Sequence, residues 1–188
     1  MEKQRAREEH CIVLDFLQHG YADDSRPLHK KEPIVQAIGK NFFTLLELVP
    51  APGIKLKPYD EVYIGEGKRD TISYIKGMLW ASKLTQTAKN ELPFVVEKIV
   101  ENNEPIFIEF FNKAGPISLR AHQLEVLPGV GKKHAAEIIK AREEKLFESF
   151  DDIKTRVTAI SDPKKTIVNR ILAELEGKDR FRLFVRAN

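Results

Sequence analysis

Nine residues carry the most specific chemistry in this sequence: Leu127-Pro128-Gly129-Val130-Gly131-Lys132-Lys133-His134-Ala135. Without a Cβ, Gly129 and Gly131 can take positive φ, so the chain around Val130 can turn tightly, and a phosphate oxygen can approach the main chain. The helix that follows would begin with unsatisfied N–H groups on Gly131, Lys132 and Lys133. Its dipole places positive potential at the same end. Lys132 and Lys133 add two mobile charges. His134 could add a donor, although a surface helix position is the plainer reading. Ala135 is small enough for two helices to pack closely behind the turn. The pattern points to a grip on a nucleic-acid backbone without base reading. The alternative is an ordinary Pro-Gly turn between two packed helices.

Two helices are needed to position such a turn. Upstream, Ile117, Ala121, Leu124 and Leu127 recur at helical spacing after Pro116. Downstream, Ala135, Ile138, Ile139 and Arg142 form one stripe of a helix over residues 132–144. A second, degenerate copy of this layout follows about thirty residues on. Ser149 reads as an N-cap with Asp152 at the third helical position. Asp162 caps a further helix, with Pro163 at its first position, and Gly177 ends it. Val168, Ile171, Leu172 and Leu175 carry that helix's apolar face. The second turn lacks both glycines, Pro163 removes a donor, and the Asp162 carboxylate competes with a phosphate. This half is therefore read as mainly structural. Lys164, Lys165 and Arg170 would be point charges near a backbone or members of a solvated face.

These residues resemble the helix-hairpin-helix family found in DNA-repair enzymes, polymerases and DNA-uptake proteins. The resemblance implies phosphate contact by the amides of Gly129, Gly131, Lys132 and Lys133. It also implies a possible monovalent cation at the backbone carbonyls of Glu125, Leu127 and Val130, as in some relatives.

No catalytic constellation accompanies the turn. Asp60 with Glu66-Gly67-Lys68 imitates a metal-dependent nuclease pattern, but the spacing is too short and Lys68 falls in a turn. Gly65-Glu66-Gly67 lacks the third glycine of a dinucleotide fold. Gly131-Lys132-Lys133 fails the P-loop, because Val126 stands where a glycine is needed and no Ser or Thr follows the lysine. His10, His19, His29, His122 and His134 show no metal-ligand spacing. The expectation is a protein that is not an enzyme and needs no cofactor or firm metal site.

The N-terminal part reads differently. Residues 1–9 look like a charged, solvated arm. Short β-type runs follow at 12–17, 34–38, 42–49, 62–64 and 71–76, separated by turn residues and by a polar, mobile break over 19–32. Five short strands in this space imply a small closed or half-closed barrel. Residues 58–65 resemble the strand entry of small RNA-binding barrels. Tyr59, Tyr63, Tyr74 and Trp80 are interleaved with Lys57, Lys68, Arg69 and Lys76, a mixture that could stack bases and hold phosphates. Alternating aromatics can equally be core. A helix from Pro93 to Asn102, with Pro93 at its first position, and a strand over 106–111 are expected next. Residues 112–116 read as a linker.

Composition bounds these readings. Hydrophobic residues make up 42% of 188, a globular proportion. No run reaches membrane length, and the N-terminus is too charged for a signal peptide. The lone cysteine, Cys11, excludes an internal disulfide framework; the expected location is the cytoplasm. Net charge is +3. Residues 116–188 hold 15 Lys/Arg against 11 Asp/Glu, while residues 1–115 hold 16 against 17. The positive excess lies with the turn, where phosphate binding needs it.

The expected fold class is α+β in two domains. The parts are an arm (1–9), a small OB/S1-like β-barrel (10–84), a connecting helix and strand (85–115) and an all-α tandem helix-hairpin-helix domain (116–188). This order resembles an uncharacterised archaeal family regarded as RNA-binding. The resemblance implies a non-enzymatic nucleic-acid-binding protein, with RNA favoured over DNA. The expected nucleic-acid-binding residues are Gly129, Val130, Gly131, Lys132, Lys133, His134, Lys68, Arg69, Lys164 and Lys165. The alternatives are a DNA-binding accessory in repair or recombination and a protein–protein scaffold; a protein partner is possible, a membrane is not expected.

Overall fold

β-Branched and apolar residues alternate through the N-terminal half. In the computed structural model of the chain, which describes residues 7–177 and 179–186, they form five antiparallel strands. These are β1 (His10–Leu17), β2 (Ile34–Gly39), β3 (Leu45–Pro50), β4 (Glu61–Tyr63) and β5 (Ile72–Met78). The sheet order is β4-β1-β2-β3-β5. Among the described residues β4 and β5 do not pair with each other, so the sheet is a half-barrel, open at these edges, and not a closed one. One face carries a core cluster of Cys11 and Val13 from β1, Val35 and Ala37 from β2, and Leu46 and Leu48 from β3, and the alternate residues Ile34, Ile38 and Leu45 are buried on the other face. A register shift between Val13 and Asp15 turns the strand so that Phe16 also reaches this core.

The chain divides into two compact units, residues 1–95 with 184–188, and residues 96–183. The division falls inside α1 (Gln86–Asn102). The second unit holds α2 (Glu104–Lys113), β6 (Pro116–Ser118), β7 (Ala121–His122), a 3-10 helix (Gln123–Val126), α3 (Lys132–Glu144), α4 (Phe150–Arg156) and α5 (Pro163–Leu175). The architecture is α+β.

Three expectations are corrected. The strand expected over 106–111 is helix α2. Pro105 sits in its first turn, and Phe107, Ile108 and Phe111 bury one face at helical spacing, which outweighs their β propensity. Pro93 lies inside α1 and does not start it. Thr85 starts that helix: its hydroxyl accepts from the Ala88 N–H at 3.0 Å. The helix expected upstream of the glycine-rich turn is a two-stranded hairpin followed by the single 3-10 turn. Ser118 pairs with Ala121 across the tip, which takes Ile117 and Ala121 out of any helix.

Two polar anchors hold the first unit. Residues 1–6 of the expected arm lie outside the described residues, but Glu8 is buried, not solvated. Its carboxylate accepts from the backbone N–H of Asn41 (2.9 Å), Phe42 (2.9 Å) and Thr44 (3.1 Å). It fills the space beside Gly39, where a Cβ would lie 1.9 Å from the Glu8 carboxyl carbon. On the sheet face opposite that cluster, Asp15, Gln36 and Glu47 stand in register. The fully buried Gln36 donates to the Tyr21 hydroxyl (3.0 Å) and the Lys83 carbonyl (3.1 Å), and accepts from Thr85 N–H (2.8 Å). Tyr21 in turn donates to Glu47 at 2.7 Å. The polar break over 19–32, expected to be mobile, is thus pinned at Tyr21.

Glu8→Ala leaves three amides without their acceptor and should cost about 3 kcal/mol of stability in denaturant unfolding. Burial pushes the Tyr21 phenol up to about 12. Folding favours its neutral form, so this contribution is complete below about pH 10 and is lost as pH rises through 12. Between those values the melting temperature of the wild type should fall more steeply than that of Tyr21→Phe; parallel curves would refute the assignment.

Candidate nucleic-acid interface

The glycine-rich turn is set by the short elements around it. His122 opens the 3-10 helix: its Nδ1 accepts from the Leu124 N–H at 3.1 Å, while Glu125 accepts from the His122 N–H at 3.2 Å. Burial, with the Arg142 charge second, holds the His122 imidazole below its ordinary pKa and so favours the neutral ring that can accept. The chain then turns through Leu127 to Gly131. The Val130 N–H donates to the Leu127 carbonyl at 3.1 Å, and Gly129 takes φ +77°. Leu124, Leu127 and Val130 are buried and anchor the turn from beneath, whereas Pro128, Gly129 and Gly131 face solvent.

Only Gly129 needs the left-handed region. Gly131 is extended, with φ −89° and ψ −178°, and serves as the N-cap of α3. A Cβ at Gly131 would meet no atom within 4 Å. This glycine keeps the approach to the α3 amides open and relieves no strain. Its carbonyl accepts from Ala135 N–H at 2.9 Å, the first bond of the helix. No side chain caps α3, while Ser149 caps α4 and Asp162 caps α5 by accepting from Asp152 and Lys165 N–H groups. The first-turn donors of α3 therefore face outward beside the exposed Lys132 and Lys133. His134 folds back on the turn, with Nδ1 3.0 Å from the Gly129 carbonyl. The structure thus brings together Gly129, Gly131, Lys132, Lys133 and His134, with Val130 beneath them.

The other expected site residues lie away from the turn or have partners of their own. Lys164 is held between Glu101 (2.5 Å) and Glu97 (3.0 Å), which raise its pKa above the ordinary lysine value. Lys165 is exposed at the start of α5. Lys68 and Arg69 lie in the other unit, between β4 and β5; Lys68 pairs with Asp70 (3.3 Å) and Arg69 donates to the Gly65 carbonyl (2.8 Å). Tyr63 accepts from the Gly67 N–H at 3.0 Å and closes that loop, where it is unsuited to stacking. Lys76 pairs with Glu47 at 3.1 Å. Tyr74 and Trp80 remain exposed.

Arg170, read from sequence as a surface charge, is buried together with Glu174. Its Nη1 donates to the Val126 carbonyl (3.1 Å) and to Asp179 (2.9 Å), its Nε to Glu174 (2.8 Å) and its Nη2 to the Phe181 carbonyl. The signal for this was present: Arg170 and Glu174 fall on the same helical stripe as Ile167 and Ile171. The guanidinium also bears on the implied monovalent cation. It delivers a fixed positive charge to the carbonyl between Glu125 and Leu127, and the Leu127 carbonyl already accepts from Val130. Among the described residues no group of three His, Cys, Asp or Glu could hold a metal, and no helix is long and apolar enough to cross a membrane.

Comparison with known proteins places this geometry in a family. The chain is 42% identical over 186 residues to MJ0038, an uncharacterised protein of Methanocaldococcus jannaschii, covering 98% of the chain and 82% of that relative. It is similar to the crystal structure of Af1531 from Archaeoglobus fulgidus, with a TM-score of 0.87 and 44% identity over 95% of this chain and 100% of that one. A family model described as "protein of unknown function (DUF655)" matches residues 7–186. The sequence, the fold and the coverage agree: the chain belongs to the DUF655 family, with archaeal relatives.

Proposed function

We propose that this is a non-enzymatic nucleic-acid-binding protein, with RNA favoured over DNA, that grips the phosphate backbone with the Gly129–Lys133 turn and reads no bases there. One observation carries the proposal: an uncapped helix N-terminus lies open at Gly131, where no atom obstructs an incoming anion, and two exposed lysines follow it. Amides, helix dipole and ammonium groups act on the same point. The 3-10 helix, turn and α3 act as one half of a tandem helix-hairpin-helix, with α4, turn and α5 as the other. The second half is structural. Asp162 satisfies the α5 amides that a phosphate would need, and Glu97 and Glu101 consume Lys164. In the first unit the OB-like half-barrel leaves Trp80 exposed to meet a base, while the exposed Tyr74 donates its hydroxyl to Glu32 at 3.0 Å.

Gly131→Val tests the turn cleanly. The extended backbone accepts valine without strain, so the melting temperature should be unchanged while affinity for a labelled RNA oligonucleotide drops at least about tenfold. Unchanged affinity would refute the turn as the binding element. Contact with about three phosphates should give a log–log salt slope near −2 on a single strand. Lys132→Ala and Lys133→Ala should each flatten that slope by about one unit or less. A salt-independent affinity would instead favour a protein partner.

A further inference from the structure

Residues 179–183 are tied through Arg170 to the residue that precedes the same turn. Gly177 takes φ +72° just after α5, and residues 179–183 lie beside Arg170 and Glu174 of that helix. Arg170 and Glu174 pin this strap at three places. Arg170 donates to the Asp179 carboxylate and the Phe181 carbonyl, and Glu174 accepts from the Leu183 N–H at 2.7 Å. The same Arg170 nitrogen that holds Asp179 donates to the Val126 carbonyl, one residue before the turn begins. A guanidinium is planar and rigid. The strap and the entry to the turn therefore share a single fixed fork.

Such a clasp is not needed for stability alone. A buried ion pair carries a desolvation cost that a packed apolar pair of similar volume avoids. What the ion pair supplies is position: it fixes a backbone on which Arg180 and Phe181 are exposed to solvent. Arg180 is exposed, Phe181 is 41% exposed, and the Arg180 guanidinium carbon lies 5.8 Å from the Phe181 ring centroid. The Asp179 carboxylate, which would repel a phosphate, is turned onto Arg170. An exposed ring beside a cation, on a strap fastened to an anion-gripping turn, matches the chemistry of an unstacked base with its adjoining phosphate.

We infer that Arg180 and Phe181 form a second subsite of the turn's interface, in which an unpaired base stacks on Phe181 while Arg180 meets the neighbouring phosphate. The ligand is then a single strand, because a base within a duplex cannot offer its face. This inference rests on the turn reading above, which supplies the adjacent phosphate grip.

Fluorescence anisotropy with the full chain tests it, using one labelled oligonucleotide sequence as single-stranded RNA, as single-stranded DNA and as duplex RNA. Phe181→Ala should weaken binding to single-stranded RNA about tenfold and leave duplex affinity unchanged. Phe181→Trp should preserve it. Arg180→Ala should flatten the single-strand salt slope by about 0.7. An equal loss for single-stranded DNA would support a subsite that does not distinguish the sugar. Wild-type affinity of Phe181→Ala for single strands, or an equal loss on duplex, would overturn the subsite. Loss with Gly131→Val but not with Phe181→Ala would overturn the strap alone. Loss with Phe181→Ala but not with Gly131→Val would support stacking at the strap and overturn the turn reading instead.

Discussion

The Arg170 guanidinium is 4% exposed and carries a full charge, so its N–H groups must find acceptors within the protein. That demand organises the second unit. A carboxylate one helical turn away, another on the strap, and two backbone carbonyls from segments distant in sequence converge on it. The turn, α5 and the strap cannot shift independently without stranding one of these bonds. Removing the Arg170 charge would leave the buried Glu174 carboxylate without its ion-pair partner, the costlier of the two ways to break such a pair.

The first unit follows the same physics with the roles exchanged. There a buried carboxylate, Glu8, is satisfied by backbone amides, and a buried amide, Gln36, ties a loop and the approach to α1 onto the sheet. No buried side-chain nitrogen or oxygen among the described residues lacks a partner. The apolar core makes each unit collapse, while these few polar contacts select which loops lie on it. At the α3 terminus the rule is relaxed. Its amides have no side-chain cap and open to water, which makes that end of the unit receptive.

Sequence made the local signals legible. α3, α4 and α5 lie where the Gly-rich turn, Ser149 and Asp162-Pro163 place them, because caps and turn glycines act within a few residues. The five strands were readable from alternation, but the open edges were not, since pairing depends on partners far along the chain. Residues 106–111 misled because isoleucine and phenylalanine favour strands on their own, and Pro105 fixes the helix instead. Within the site, the turn was visible and its support was not. Arg170 looks like any exposed helical arginine until Val126, 44 residues away, is brought beside it.

Glu8 and Gly39 are joined in a way that bears on how the family can vary. The carboxylate occupies the volume that any side chain at 39 would claim. A side chain at position 39 must displace that carboxylate, and with it the acceptor for Asn41, Phe42 and Thr44. The two positions thus share one volume across the first two strands of the sheet, so a change at either is felt at the other.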